Sequence, residues 1–559
     1  MLGKKLTVRT ASRLLEKELI TSENLASFCN ALALAGEEIW GLAAYSRITS
    51  QEELLNQARE SDIRRKKGKV MSIFDGIPVS IKENLAVRSE PLTAGSRILG
   101  RGVNDATPCG YDADVVNTLL RESGALLIGT TCMDEFGMGS LGINSPQPTK
   151  NPLPYLNNLR PTDASTSVFD DERLAKLICS SQDEILEKHS AIFSDLDPVH
   201  SAGGSSCGSA ASVAHGSALL SLGTDTGGSV RLPSAWCGLV GLKPSYGILS
   251  RHGVVSYASS FDTVGILALS VDCASFALDL LRERGNTSRD STFSKLQFDV
   301  KDLEDQSLSE NTASLAGIRV GIPASFSVEE CPDEIREAWL QAAEYLHQHG
   351  ATIEEISTSD ISVDLVKNSL AAYYILVSAE ASSNLSRYDG FRYGITADGN
   401  AKPSKNKIDP DLTPLESQYS ATRMKGFGPE VSRRILCGAS VLSSNRFHSH
   451  YEAAAKLRAA LASQMQSVLQ DKVDLLLIPT ALSSPCRIDQ EEIDNTKTFT
   501  NDVMTVPASL AGLPTISVPI MPQEGDWPSG FQVIGPRLGE QKVLKAAKIL
   551  ESINESDNL

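Results

Sequence analysis

Residues 203–211 read Gly203-Gly204-Ser205-Ser206-Cys207-Gly208-Ser209-Ala210-Ala211, and residues 223–231 read Gly223-Thr224-Asp225-Thr226-Gly227-Gly228-Ser229-Val230-Arg231. Two serines, Ser205 and Ser229, each follow a glycine. Far upstream, Lys82 lies inside Gly76-Ile77-Pro78-Val79-Ser80-Ile81-Lys82-Glu83-Asn84. A Gly/Ser run standing alone reads as a flexible linker, and a lone lysine as a solvated surface residue. Here the first run is followed by the largely apolar Ala214–Leu222 and then by a second glycine turn, which linkers lack.

The three residue types make sense together as acyl-transfer chemistry. A serine hydroxyl is a poor nucleophile until a base takes its proton, and the intermediate needs fixed donors around its oxyanion. Gly227 and Gly228 leave successive N–H groups unscreened just before Ser229, so a donor nest can form there. A lysine serves as base only where burial holds it neutral, well below its ordinary value of about 10.4. Ile77, Pro78, Val79 and Ile81 supply apolar surroundings for Lys82. Ser205 would then relay the proton from Ser229 to Lys82. A competing reading takes Gly204-Ser205-Ser206-Cys207-Gly208 as a G-x-S-x-G elbow, with Ser206 as nucleophile and a histidine base. That elbow needs a strand directly before it, and Asp195–His200 is polar and contains proline.

With Cys237-Gly238-Leu239-Val240-Gly241-Leu242-Lys243-Pro244 added, these blocks resemble the amidase signature family. Further blocks are similar to the glutamine-hydrolysing, A-type components of glutamyl-tRNA(Gln) amidotransferases within it: Met133–Gly139, Ala379–Leu385, Gly428–Ile435, and Asn501-Asp502 with Pro507 and Ala511–Pro514. The resemblance implies an α/β fold, one amidase-signature domain over 16–550 with a mixed central sheet surrounded by helices. It implies Ser229 as the acyl-forming nucleophile, Ser205 as a bridging serine after a cis peptide, and Lys82 as the base. Thr226, Gly227 and Gly228 would give backbone oxyanion donors. Arg434 and Asp502 would hold the α-carboxylate and α-amino group of free glutamine, with Tyr373 nearby and Tyr374 next to it. No cofactor or metal is expected in this chain; ATP and Mg are expected on a partner. The implied partners are a small accessory subunit and a B-type subunit, with Glu-tRNA(Gln) held mainly by the partner. An amidase for other amides has no use for a zwitterion clamp, and a non-catalytic assembly subunit has no use for Lys82, Ser205 and Ser229 together.

Two departures from the family pattern stand out. Cys207 occupies the place of the usual glycine after the paired serines. Residues 153–199 form an extra polar, acidic segment with Asp170-Asp171-Glu172, read as a surface insertion or else as a retained intron or gene-model error. A short helix is expected over Ala175–Leu186, anchored by Ile178 and Ile185.

Strands are expected at Ala125–Ile128, Leu239–Leu242, Arg319–Ile322 and Leu475–Ile478, alternating with helical segments. The formal charge of −17 opposes independent binding to tRNA, since phosphate attraction requires a basic face. No P-loop is present, so ATP chemistry belongs elsewhere. Ten cysteines without C-x-x-C spacing predict free thiols, and no apolar run reaches the roughly 20 residues that span a bilayer. At the N-terminus, Lys4, Lys5, Arg9 and Arg13 occur with Thr7, Thr10 and Ser12, and no acid precedes Glu16. Residues 1–15 therefore read as a mitochondrial presequence, directing the chain to the matrix, or as a basic first helix of a cytoplasmic or mitochondrial enzyme.

Overall fold

The computed structural model describes residues 6–102, 106–158, 170–193, 200–283, 289–293, 314–397, 412–489, 499–521 and 527–555. Eleven strands form one sheet: β1 (Tyr45–Ile48), β2 (Pro78–Lys82), β3 (Leu126–Thr131), β4 (Leu220–Asp225), β5 (Val240–Lys243), β6 (Thr263–Ala268), β7 (Arg319–Pro323), β8 (Thr352–Ile356), β9 (Leu475–Pro479), β10 (Thr515–Ile520) and β11 (Ser529–Ile534). The expected strands overlap β3, β5, β7 and β9. β3, β5 and β9 are buried at every position, as strands covered on both faces are, while β7 begins on the half-buried Arg319.

The strand order is β1-β3-β2-β4-β6-β5-β10-β11-β9-β7-β8. β2 runs parallel to both β3 and β4, β9-β7-β8 form a parallel group at the far edge, and the pairings from β4 through β6, β5, β10 and β11 to β9 are antiparallel. The mixed sheet surrounded by helices is as expected. Ligands in open α/β sheets gather outside the carboxyl ends of the strands. Here β2 ends on Lys82 and its parallel neighbour β4 ends on Asp225, immediately before the Thr226–Ser229 turn.

The first described helix, Val8–Glu16, is part of the folded domain. Thr7 caps it, Val8, Ala11 and Leu14 are buried, and Arg13 and Lys17 both reach Asp171 at 2.8 Å. Lys4 and Lys5 lie outside the described residues.

Asp171 belongs to the 153–199 segment, where the expected single helix over Ala175–Leu186 is corrected to two, Asp171–Ile178 and Gln182–Phe193. The chain breaks helix at Cys179 and restarts after Ser181, whose hydroxyl accepts from Glu184 N while the Glu184 carboxylate accepts from Ser181 N. Such a reciprocal cap begins a helix. Ile178 and Ile185 are buried as anchors, joined by Leu174. Among the described residues this segment adds no strand to the sheet.

Candidate active site

Lys82 is fully buried at the end of β2. Its Nζ lies 2.9 Å from Ser205 Oγ, 2.8 Å from Ser206 Oγ and 3.1 Å from Thr224 Oγ1. Burial pushes the ammonium down to about 8, against the pull of Cys207, Asp134, Asp225 and Asp262. Ser206 stands at the N-cap position of the helix Cys207–His215 without a side-chain cap bond, its hydroxyl instead meeting the lysine. The Gly204–Ser205 peptide is cis.

Ser206 therefore touches the lysine as closely as Ser205 does, a contact the sequence reading missed. It is no elbow nucleophile: among the described residues only isolated bridges at His200 and Ser201, and no strand, precede it. The Cys207 side chain is accommodated among buried groups, its thiol accepting from Thr149 Oγ1 at 3.3 Å and donating to the Cys132 carbonyl at 3.6 Å. All ten cysteines are free.

The turn carrying Ser229 is pinned from inside. Asp225 and Arg231 are both fully buried and form an ion pair at 2.9 Å, and Asp225 Oδ2 also accepts from Val230 N at 3.2 Å. Burial raises the Asp225 carboxyl, but the charge and hydrogen bonds of Arg231, the Lys243 charge and the Val230 N–H together hold the group below the usual carboxylate range. Arg231 spends its remaining donors on Thr505 O, Gln532 Oε1 and Ser509 Oγ. Within this brace Gly228 adopts φ 143°, and a Cβ there would collide with the Thr505 hydroxyl. A Cβ on Gly227 would collide with the Tyr373 hydroxyl. The N–H groups of Thr226, Gly227, Gly228 and Ser229 find no acceptor among the described residues.

Ser229, Gly227 and Gly228 line one narrow pocket with Ser140, Tyr373, Tyr374, Arg434 and Asp502. The three serine–lysine residues and the three clamp residues thus converge, although they come from positions 82 to 502. One expected link is missing: Ser229 Oγ forms no hydrogen bond with Ser205 or any other described residue.

The helix Pro429–Val441 presents Arg434, whose Nε donates to Glu430 Oε1 at 2.6 Å and whose Nη1 bonds the Tyr257 hydroxyl. Nη2 has no partner among these bonds. The start of that helix is anchored by Glu135, which accepts from Gly428 N at 2.8 Å. Asp502 opens the helix Asp502–Leu510 and accepts from Ser140 Oγ at 3.0 Å and from the Tyr374 hydroxyl at 2.8 Å. Burial nevertheless pushes its carboxyl up to about 6, against the pull of those two hydrogen bonds and of the more distant Arg434 and Arg231 charges. Tyr374 stands between the two charges, its hydroxyl on Asp502 and its ring 4.9 Å from the Arg434 guanidinium carbon. Tyr373 instead packs against Gly227 and edge-on to Phe261. Ser140, Tyr257 and Tyr374 carried no sequence signal of their own, apart from the adjacency of Tyr374 to Tyr373.

An arginine and a buried carboxylate facing a serine beneath free backbone donors form a site for a small zwitterion bearing a carbonyl group. A family model described as Amidase matches residues 23–155 and 195–544, and the unmatched stretch between them falls inside the 153–199 segment. The chain is 37% identical over 529 residues to the A-type component of the mitochondrial glutamyl-tRNA(Gln) amidotransferase of Emericella nidulans, covering 89% of this chain and 93% of that protein. It is 34% identical over 554 residues to the corresponding mitochondrial protein of Bos taurus, covering 99% and 94%. Among solved structures, it is similar to the A-type component of the same amidotransferase from Thermotoga maritima, with a TM-score of 0.68 and 27% identity over 98% of this chain and 95% of that one.

Proposed function

The chain belongs to the amidase signature family, and from that premise we propose that it is the glutamine-hydrolysing subunit of a glutamyl-tRNA(Gln) amidotransferase. The observation that carries this reading is the placing of Arg434 and the buried Asp502 carboxylate on the pocket that holds Ser229. Free glutamine fits those two charges: its α-carboxylate would take the open edge of the Arg434 guanidinium and its α-ammonium would pair with Asp502. The side-chain amide is then directed to Ser229.

Ser229 Oγ attacks the amide carbon as its proton passes through Ser205 to neutral Lys82. The Lys82–Ser205 bond is in place at 2.9 Å. The Ser205–Ser229 link closes when substrate orders the Ser229 hydroxyl, as catalytic hydrogen bonds commonly tighten on binding. The oxyanion takes the N–H groups of Thr226, Gly227 and Gly228. Lys82 returns the proton to the leaving nitrogen, ammonia departs, and water hydrolyses the γ-glutamyl ester by the same relay to release glutamate.

The ammonia serves a B-type partner that holds Glu-tRNA(Gln) and amidates it to Gln-tRNA(Gln) with ATP and Mg, assembled with a small accessory subunit. The charge of −17 favours that division of labour. The mitochondrial matrix is the proposed compartment, given the likeness to mitochondrial relatives. We place any presequence ahead of Leu6, because the helix that follows is packed into the domain.

The test is to co-purify the chain with its partners from the native source and assay glutamine-dependent conversion of Glu-tRNA(Gln). Ser229→Ala abolishes glutamine hydrolysis and leaves amidation with added ammonium intact. Hydrolysis surviving at a substantial fraction of wild type refutes the role of Ser229.

A further inference from the structure

We infer that Asp262 is a positioning residue that locks the oxyanion turn and the amino-acid clamp into one fixed arrangement, an inference that rests on the glutaminase reading above. Asp262 lies just before β6 and is buried, 5% exposed. Its two oxygens face opposite halves of the site. Oδ1 accepts from Thr226 Oγ1 at 2.8 Å, at the first residue of the Thr226–Ser229 turn. Oδ2 accepts from Tyr257 N at 2.9 Å and Ala258 N at 3.0 Å, and the Tyr257 hydroxyl holds Arg434. One carboxylate therefore joins the segment that stabilises the oxyanion to the segment that orients the guanidinium.

The stretch between these contacts is braced from outside. Phe261 meets Tyr373 edge-on with ring centroids 5.7 Å apart, and the Arg458 guanidinium carbon lies 4.1 Å from the Phe261 ring centroid. Glu380 accepts from Ser260 N at 2.9 Å and Asn384 Nδ2 donates to Tyr257 O at 3.1 Å. Both residues belong to the helix Val363–Asn384, which also carries Tyr373 and Tyr374. Asp262 is thus the internal tie of a short segment whose outer side is already held.

The tie matters because glutamine has a fixed number of bonds between its α-carboxylate and its amide carbon. With both ends held, the distance from Arg434 to the oxyanion donors sets whether the carbonyl lies in register with them, and a small misplacement costs rate steeply. The tie needs an acceptor for the Tyr257 and Ala258 N–H groups and a partner for the Thr226 hydroxyl; an amide can supply both, since the hydroxyl can also accept, so the side chain must be truncated to break the tie. The alternative is that Asp262 only satisfies the Tyr257 and Ala258 N–H groups as a local loop cap. Then its bond to Thr226 is incidental to turnover.

The two readings separate in steady-state glutamine hydrolysis by the co-purified assembly. Thr226→Val cuts only the turn side, and it lowers kcat by about tenfold with KM within twofold, the loss expected for one hydrogen bond to a buried charge. Tyr257→Phe cuts only the clamp side and raises KM by about tenfold with kcat within twofold. Asp262→Ala does both, and adding Thr226→Val to it lowers kcat no further, since both remove the same contact. If Asp262→Ala leaves kcat and KM within twofold of wild type, or if its effect on kcat multiplies with that of Thr226→Val, the inference is overturned. Should Asp262→Ala fail to fold, an unchanged kcat in Thr226→Val overturns it alone. A wild-type assembly that does not hydrolyse glutamine overturns the glutaminase reading and this inference with it; active wild type with an indifferent Asp262→Ala overturns only the inference.

Discussion

Lys82 provides a pH test whose size follows from its surroundings. With its ammonium held at about 8, roughly one lysine in eleven is neutral at pH 7 and ten in eleven at pH 9. At saturating glutamine, kcat then rises about tenfold between those pH values and levels off. A lysine at the solvent-exposed value of about 10.4 gives a rise of about a hundredfold over the same interval with no plateau. Reading kcat at saturation removes the titration of the free substrate's own amino group. Stability provides a second readout. The folded value lies below the unfolded value of 10.5, so the unfolded chain binds more protons between pH 8 and 10.5 and stability rises with pH across that window. The gain is on the order of 3 kcal/mol, from 2.5 pH units at about 1.4 kcal/mol each. Lys82→Met has no such gain, so its thermal midpoint relative to wild type falls steadily from pH 8 to 10. A kcat that climbs tenfold per pH unit through pH 9.5, together with a midpoint difference that stays flat, would refute a buried neutral base.

Arg434→Ala and Asp502→Ala each raise the KM for glutamine by about tenfold or more, since each removes an ionic hydrogen bond to one end of the substrate; if both keep the wild-type KM, an amidase for other amides becomes the better reading. Asp225→Ala leaves Arg231 buried without its counter-charge and costs about 3–5 kcal/mol, seen as a drop in thermal midpoint together with lost glutaminase activity. A midpoint within a degree of wild type would show that the pair does not hold the turn. Ile178→Ala destabilises the packing of the 171–193 helices by about 2–4 kcal/mol and makes that segment the first site of proteolysis, with kcat and KM unchanged; a lost activity would tie the segment to the site.

The sheet was legible wherever burial on both faces leaves only apolar residues, as at Leu475–Ile478. The positions of Lys82 and Ser229 were legible through their motifs, while their neighbours were not. Ser140 lies 362 residues from Asp502, and Tyr257 lies 177 from Arg434. Each is a common residue whose position becomes informative only after the chain has closed. The split in the 171–193 region was legible in principle, because Ser181-Gln182-Asp183-Glu184 has the form of a capping box. Helical periodicity through Ile178 and Ile185 hid it. Asp262 escaped notice because a carboxylate at a strand entrance reads as a turn residue, and its two-sided bonding depends on Thr226 and Tyr257 approaching from opposite directions.

The strand order also sets a timetable for synthesis. β10 and β11 are among the last elements made, yet they lie in the middle of the sheet, joining β5 on one side to β9 on the other. On a ribosome adding about 5–20 residues per second, the first six strands and the β9-β7-β8 group wait as separate pieces until Thr515–Ile534 has emerged. A nascent or prematurely terminated chain therefore has no continuous sheet on which Ser229 and Asp502 can meet. Until then the facing edges of β5 and β9 are unpaired, the kind of open strand edge that invites pairing with another chain.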